Sequence, residues 1–500
     1  MDVRLADPIV TAALGAEIAL FVRPGDIVTL SGDLGAGKTT LARGLIRALM
    51  HDPELEVPSP TFSLVQTYKA AGMPILHADL YRLSDPGGTD ELGLDEADER
   101  GLLIVEWPEH GTLSRLAGPR LDIKLDLGVS GHRATISGNQ DWPNRLGRMA
   151  AARSFLSRSG YGDWARQSLS GDASARRYEV LTPPEPNTVR QRLLMDSPAM
   201  PDPGTGAAPY SRVVHLAEDI VPFLAIAATL NEYGFAAPAI HAADSAEGFA
   251  VLEHLGSGSI LDGGDPVADR YNAAIDCIVA LQVANLPDAA KWEAHRHEMP
   301  RFDRGVFHAE AELVLDWYIP HVSGSIADAT CRESLTEALD AILDSYPVLS
   351  SPLSWVLRDF HSPNIIWRSE EDGTGRVGLI DFQDALLGPA AYDVASLAYD
   401  ARVDMPNDLT DSLIRAFLEG GAERISGFDP ELERIRVAAL GAQRNLKILG
   451  IFTRLAKRDS KPAYLQHLPR IKRYLHNMLA EPALAPIRSW SNAYLDLEGH

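Results

Sequence analysis

The chain has 500 residues, enough for more than one hydrophobic core, and its 45% hydrophobic and 23% charged residues exclude the fibrous, collagenous and wholly disordered classes. Its formal net charge is −23, and the parts before and after residue 148 are both acidic, which argues against direct nucleic-acid binding through a basic, counterion-releasing surface.

In chain order, short apolar runs alternate with amphipathic segments up to about residue 138. They are a strand over 27–31, a helix over 39–50, a strand over 75–80, an acidic helical stretch over 90–99 and a strand over 102–106. That rhythm is α/β. Alternating runs at 121–127 and 134–137 predict a closing hairpin, and the polar stretch 138–144, with Asn139, Gln140, Asp141 and Pro143, predicts a linker. Domain boundaries of 1–144 and 145–500 follow. A helix over 145–158 opens the second part, a β-rich region covers 178–194 and 249–255, and helices are expected over 268–284 and 311–318. Strands first and helices later predict a two-lobed α+β domain.

Cys277 and Cys331 are too few for a disulfide framework and have no zinc-like spacing, which suits a reducing compartment. The start Met1-Asp2-Val3-Arg4 has no basic segment followed by an apolar one, and the longest apolar stretch, 221–230, falls short of the roughly 20 residues a bilayer span needs. A cytoplasmic protein without membrane contact is expected.

Gly32-Asp33-Leu34-Gly35-Ala36-Gly37-Lys38-Thr39 fits GxxxxGK[ST] and lies between a predicted strand and a predicted helix, as a phosphate-binding loop must. Its glycines let backbone N–H groups turn toward the phosphates of ATP, with Gly32, Gly35, Ala36, Gly37 and Thr40 lining the nucleotide. Lys38 reaches the terminal phosphates and the Thr39 hydroxyl ligates Mg2+. Such a site needs a carboxylate at the end of a neighbouring strand, and Asp79 and Glu106 are both candidates.

Gly32–Thr40 is followed by Ser59-Pro60-Thr61-Phe62, His77-Ala78-Asp79-Leu80-Tyr81-Arg82, Asp90-Glu91-Leu92-Gly93-Leu94 and Val105-Glu106-Trp107-Pro108-Glu109. In this order they resemble TsaE, the ATPase subunit of the bacterial machinery that makes N6-threonylcarbamoyladenosine in tRNA. The resemblance covers roughly residues 5 to 140. It implies that Lys38 and Thr39 bind ATP and magnesium, that Glu106 is a second magnesium ligand, that Asp79 supports hydrolysis, and that 59–62 forms a switch-like loop. It also implies partners of the TsaD and TsaB type, which would hold the tRNA in place of this acidic chain. Trp107 either stacks on the nucleotide or packs in the core.

A second constellation begins at Arg358-Asp359-Phe360-His361-Ser362-Pro363-Asn364, after the apolar Trp355-Val356-Leu357, with Asp381 ending the strand-like Val377-Gly378-Leu379-Ile380. Phosphoryl transfer needs one carboxylate to orient or deprotonate the acceptor hydroxyl, the role of Asp359, while an amide oxygen and a second carboxylate hold magnesium, the roles of Asn364 and Asp381.

These residues, with Gly171-Asp172-Ala173-Ser174-Ala175-Arg176, Val251-Leu252-Glu253-His254-Leu255-Gly256 and Tyr392-Asp393-Val394-Ala395-Ser396, resemble an aminoglycoside-phosphotransferase-type kinase over about 150–480. Within it they look most like cell-wall amino-sugar kinases acting on the anomeric hydroxyl of N-acetylmuramate or N-acetylglucosamine. The fold class expected is therefore an α/β P-loop NTPase domain followed by a protein-kinase-like domain. The resemblance makes Gly171, Ser174 and Arg176 part of the loop over the ATP phosphates, and 253–256 the hinge between lobes. The chain departs from the pattern where kinases place a strand lysine: 189–195 offers arginines and no lysine, which makes Arg190, Arg192 and Arg176 the candidates for that place. Residue 254 is a histidine where the sugar kinases tend to have an acid, and His361 is expected to be structural. Two readings follow, a bifunctional ATPase and amino-sugar kinase, or an ATPase carrying a non-catalytic kinase-like scaffold that binds partners.

Overall fold

A run that is apolar at every residue makes a strand only if both its faces are covered, and this condition organises the first part of the chain. The computed structural model describes residues 1–70, 72–83, 92–94, 100–113, 116–128, 131–169, 176–185, 190–201, 209–350 and 352–497, in two compact units, Met1–Asp196 and Ser197–His500. The expected helix over 90–99 lies outside the described residues apart from 92–94.

The first unit runs β1 (Asp2–Leu5), α1 (Pro8–Ala19), β2 (Ile27–Gly32), α2 (Lys38–Met50), β3 (Val65–Ala70), β4 (Met73–Asp79), β5 (Leu102–Glu106), β6 (Arg120–Asp126), β7 (His132–Gly138), α3 (Trp142–Arg158), β8 (Ala165–Leu169), β9 (Arg177–Thr182) and β10 (Arg192–Asp196). Seven strands form one sheet in the order β1-β7-β6-β2-β5-β4-β3. Strands β2, β4, β5 and β6 are mutually parallel where they pair, and β1, β3 and β7 close the edges antiparallel. The period of two sends Val28, Leu30, Leu102 and Ile104 to one face and Ile27, Leu103 and Val105 to the other, each into its own apolar cluster. Helix α1 starts where Asp7 accepts the Val10 N–H and Pro8 supplies a preset φ.

The stretch 138–144, expected as a linker, is instead the joint between β7 and α3. Polar composition read it as a loop, but Trp142 is fully buried among the apolar residues of the first unit. Arg145 is buried against Asp26, with Nη2 2.9 Å from its Oδ1, and also grips Asp141 and the Phe21 carbonyl. Further along, Glu17 of α1 meets Arg153 of α3 and, at 3.1 Å, Arg166 of β8, whose guanidinium is bidentate to Glu179 of β9. Strands β8, β9 and β10 form an antiparallel ladder that shares these ion pairs within the first compact unit.

The second unit contains α4 (Tyr210–Val213), α5 (Val221–Glu232), β11 (Ile240–Asp244), β12 (Phe249–Glu253), β13 (Leu261–Asp262), β14 (Asp265–Pro266), α6 (Ala268–Val283), β15 (Ala289–Trp292), β16 (His295–Glu298), α7 (Arg304–Ala311), α8 (Ile319–Ser323) and α9 (Ala329–Ser345). Then come β17 (Ser354–Val356), β18 (Ile365–Trp367), β19 (Val377–Leu379), β20 (Leu386–Gly388), α10 (Ala391–Ala398), α11 (Asn407–Arg424), α12 (Pro430–Lys457), α13 (Leu468–Met478) and α14 (Ala485–Tyr494). The helix expected over 311–318 is broken: α7 ends at Ala311 and Val314–Tyr318 is a π-helical turn. Pro320 follows, and having no N–H it cannot serve the carbonyl four residues back, which favours a local change of register. Among the described residues no helix is long and apolar enough to cross a membrane.

If 138–144 were a linker, truncating its tryptophan would cost nothing. Burial of Trp142 predicts instead that Trp142→Ala destabilises the first unit by about 3–5 kcal/mol, read as a lowered denaturation midpoint for that unit.

Candidate functional sites

The first site forms where β2 hands over to α2. Gly37 caps α2 with φ 99°, a left-handed conformation open to glycine, and a side chain on Gly32 would meet the Leu125 carbonyl oxygen at 2.1 Å. Ala36 is buried beneath the loop, Gly35 caps its bend with φ 83°, and Thr40 lies half-buried in the first turn of α2. Lys38 donates from Nζ to the carbonyls of Gly32 (2.6 Å) and Asp33 (2.8 Å), and sits 3.6 Å from the centroid of the Trp107 ring. Burial lowers the lysine's pKa, opposed by Glu106 and other nearby carboxylates. Trp107, neither wholly core nor free, thus covers the loop lysine and packs against Tyr81 at 4.8 Å.

The two expected carboxylates sit side by side, because Asp79 and Glu106 are register partners at the ends of parallel β4 and β5. Thr39 Oγ1 donates to Glu106 Oε2 at 2.8 Å. His77 Nε2 donates to Glu106 Oε1 at 2.9 Å. Asp79 accepts from Ser59 Oγ (2.6 Å), Thr61 Oγ1 (3.0 Å) and the Tyr81 N–H (3.0 Å), so the 59–62 segment is fastened to this carboxylate. His77 was not singled out by sequence reasoning, although it stands two residues before Asp79 in β4 and therefore shares its face.

In the second unit the pairing of β18 with β19 closes the sequence gap between Asn364 and Asp381: Ile365 opposes Leu379, and the Ile380 N–H reaches the Asn364 carbonyl. Asn364 Nδ2 donates to the Asp359 carbonyl at 3.0 Å and approaches Asp381 Oδ2 at 3.4 Å. Arg358 and Asp381 both have positive φ, 68° and 60°, a strained state for non-glycine residues that surrounding bonds must hold. Asp393 supplies some of them, accepting the N–H groups of Leu357 (2.7 Å) and Arg358 (2.9 Å); burial nevertheless pushes its carboxyl up to about 7.

The Arg358 side chain goes to a fully buried carboxylate, Glu310 of α7. Glu310 also receives Lys447 Nζ (2.6 Å) and Gln443 Nε2 (3.1 Å) from α12, and the Tyr392 hydroxyl at 3.4 Å. Burial would raise its pKa, but Lys447 and Arg358 overcome that and hold it down at about 2. Asp359 is likewise kept ionised, at about 2, where Lys447, Arg444 and Arg358 outweigh desolvation. Its Oδ1 is 3.6 Å from Arg444 Nη2 and 4.0 Å from His361 Nε2. His361 accepts from Arg402 Nη1 at 3.2 Å. Burial drives its pKa down to about 4, so it is neutral near pH 7. None of Glu310, Gln443, Arg444 or Lys447 was found from sequence, since no local motif marks them.

Gly171 and Ser174 lie outside the described residues, and Arg176 precedes β9 half-buried. Arg192 stands on β10 and meets the Gln191 carbonyl at 3.4 Å, while Arg190 is exposed before that strand. His254 Nδ1 accepts the Gly256 N–H at 3.0 Å, a turn-forming bond. The donors Thr39 with Glu106 and Asn364 with Asp381 are hard oxygens in pairs, a set that fits Mg2+ completed by phosphate and water.

The neutral His361 carries a pH consequence. The unfolded histidine takes a proton near 6.5 and the folded one only near 4, so the unfolded state binds more protons between these values and stability falls as pH is lowered through that window. His361→Gln is expected to flatten this part of the curve of unfolding free energy against pH.

Comparison with known proteins follows the same division. The family model described as "Threonylcarbamoyl adenosine biosynthesis protein TsaE" matches residues 5–134, and that described as "Phosphotransferase enzyme family" matches 166–437. The N-acetylmuramate/N-acetylglucosamine kinase of Caulobacter vibrioides is 35% identical over 365 residues, covering 70% of this chain and 98% of that protein. The tRNA threonylcarbamoyladenosine biosynthesis protein TsaE of Bacillus subtilis is 40% identical over 123 residues, covering 24% of this chain and 75% of that protein. The same-named protein of Rickettsia conorii is 46% identical over 99 residues, covering 20% and 56%.

Proposed function

The chain belongs to the phosphotransferase enzyme family through residues 166–437 and to the TsaE family through 5–134, and from that premise we propose one bifunctional protein with two separate ATP sites. The first hydrolyses ATP in support of tRNA threonylcarbamoyladenosine formation. The second transfers the γ-phosphoryl group of ATP to the anomeric hydroxyl of an amino sugar such as N-acetylmuramate or N-acetylglucosamine. The observation that carries the second reading is the joining of Asp359, Asn364 and Asp381 through one amide side chain.

In the kinase reaction the acceptor oxygen forms a bond to the γ-phosphorus while the bond to the ADP oxygen breaks, and the hydroxyl proton passes to Asp359. An ionised carboxylate held near pKa 2 is a weak base, which suits a loose transition state in which the proton leaves late. Orientation is then its main contribution. Asn364 and Asp381 would hold Mg2+, which neutralises charge on the phosphates when bound. Asp393 and the Glu310–Arg358 pair keep the loop in its left-handed turn.

In the first domain Lys38 leaves the Gly32 and Asp33 carbonyls to meet the phosphates, Thr39 and Glu106 would hold the metal, and Asp79, tied to Ser59 and Thr61, links hydrolysis to the 59–62 segment. Partners of the TsaD and TsaB type fit an acidic chain that leaves tRNA contact to other subunits. The scaffold reading draws on one observation, the lack of lysine on β10.

Two substitutions separate these readings. Asp359→Ala is expected to lower sugar-dependent ADP release by about 10²–10⁴-fold, and Lys38→Ala to abolish partner-stimulated ATP hydrolysis with sugar phosphorylation retained. Wild-type protein that turns over no amino sugar would favour the scaffold, and joint loss of both activities in either variant would exclude separate sites.

A further inference from the structure

Beside Asp359 stands a cation that the scheme above does not use. Arg444 is 5% exposed, and its Nε has no hydrogen-bond partner among the described residues. Its Nη2 lies 3.6 Å from Asp359 Oδ1, beyond ordinary hydrogen-bond reach. The neighbours on α12 hold it there: Gln443 bonds to the Phe307 carbonyl and Glu310, and Lys447 bonds to Glu310 and Tyr392. Arg444 is thus presented by an anchored helix and is not itself the anchor.

Arg358 and Lys447 are both taken by the carboxylate of Glu310, whereas Arg444 makes no hydrogen bond to either nearby acid, Asp359 or the buried Asp393, so among the described residues its guanidinium keeps donors for an anion. Asn364 contacts residue 359 at its backbone carbonyl, whereas Arg444 approaches the side-chain carboxylate, the group that in the kinase reading meets the acceptor hydroxyl. A guanidinium this close also weakens Asp359 as a base, so its presence is better explained by recognition than by proton transfer. Guanidinium groups bind carboxylates bidentately and with geometric selectivity.

Building on the kinase reading, we propose that Arg444 receives the carboxylate of an anionic acceptor. It is then the specificity-determining residue that favours N-acetylmuramate, which carries a lactyl carboxylate, over neutral N-acetylglucosamine.

The test compares kcat/KM for the two sugars in full-length wild-type protein, Arg444→Gln and Arg444→Lys, with folding checked by thermal unfolding. The ratio of N-acetylmuramate to N-acetylglucosamine is expected to fall about 10- to 100-fold in Arg444→Gln, mainly through KM, and to recover in part in Arg444→Lys. The neutral amide of N-acetylmuramate, given to wild-type protein, is expected to show a similar loss without any substitution. An unchanged ratio, or an amide as good as the acid, would overturn the assignment. So would an equal fall in kcat for both sugars, which would mean that Arg444 serves the transferring phosphoryl group or Asp359 itself. Failure of wild-type protein to phosphorylate either sugar would instead remove the kinase reading on which the proposal rests.

Discussion

A carboxylate taken out of water stays charged only if donors replace the water, and both candidate sites are built on this constraint. In the second unit the carboxylate is Glu310. Two cations, an amide and a hydroxyl converge on it from the loop before Asp359, from α10 and from α12. Removing Arg358 or Lys447 takes away one of the two cations that keep Glu310 ionised, and the network ties the strained Arg358 backbone to three helices at once. In the first unit Glu106 plays the smaller counterpart, with one oxygen held by Thr39 and the other by His77.

This constraint also orders the chemistry. Arg358 gives its side chain to Glu310 and its backbone N–H to Asp393, which leaves the next residue, Asp359, with a side chain 45% exposed. Lys447 and Arg444 arrive on the same helix but divide the work, one neutralising the buried Glu310 and the other facing Asp359. The first unit separates the same roles differently: Glu106 sits with the phosphate-loop threonine, while Asp79 is given to Ser59 and Thr61.

What was legible in the sequence was what is local. The phosphate loop is eight consecutive residues whose glycines, lysine and threonine each have a mechanical reason, and the strands ending in Asp79 and Glu106 announce themselves as apolar runs. Asp359 and Asn364 were visible because they share one short stretch between apolar runs, and Asp381 because it ends another. The partners that hold them were not, since Glu310 and Lys447 lie 48 and 137 residues from the groups they bond. Composition did not show that Trp142, inside the polar stretch 138–144, is buried in the core of the first unit. The π-helical turn at 314–318 escaped notice for a related reason: its apolar spacing is helical, and only Pro320 beyond it disturbs the ladder.

The join between the two family regions is a physical one. Helix α3 lies between them in sequence, and its Arg145 and Arg153 pair with Asp26 and Glu17 of the P-loop region, while Arg148 pairs with Asp196 at the end of β10. The central claim, two distinct magnesium-dependent nucleotide sites on one chain, is tested most directly by calorimetric titration of the full-length protein with a non-hydrolysable ATP analogue and Mg2+. Two equivalents of bound nucleotide are expected, with Lys38→Ala removing one and Asp381→Asn the other. A single equivalent in wild-type protein, or loss of both in either variant, would contradict the account.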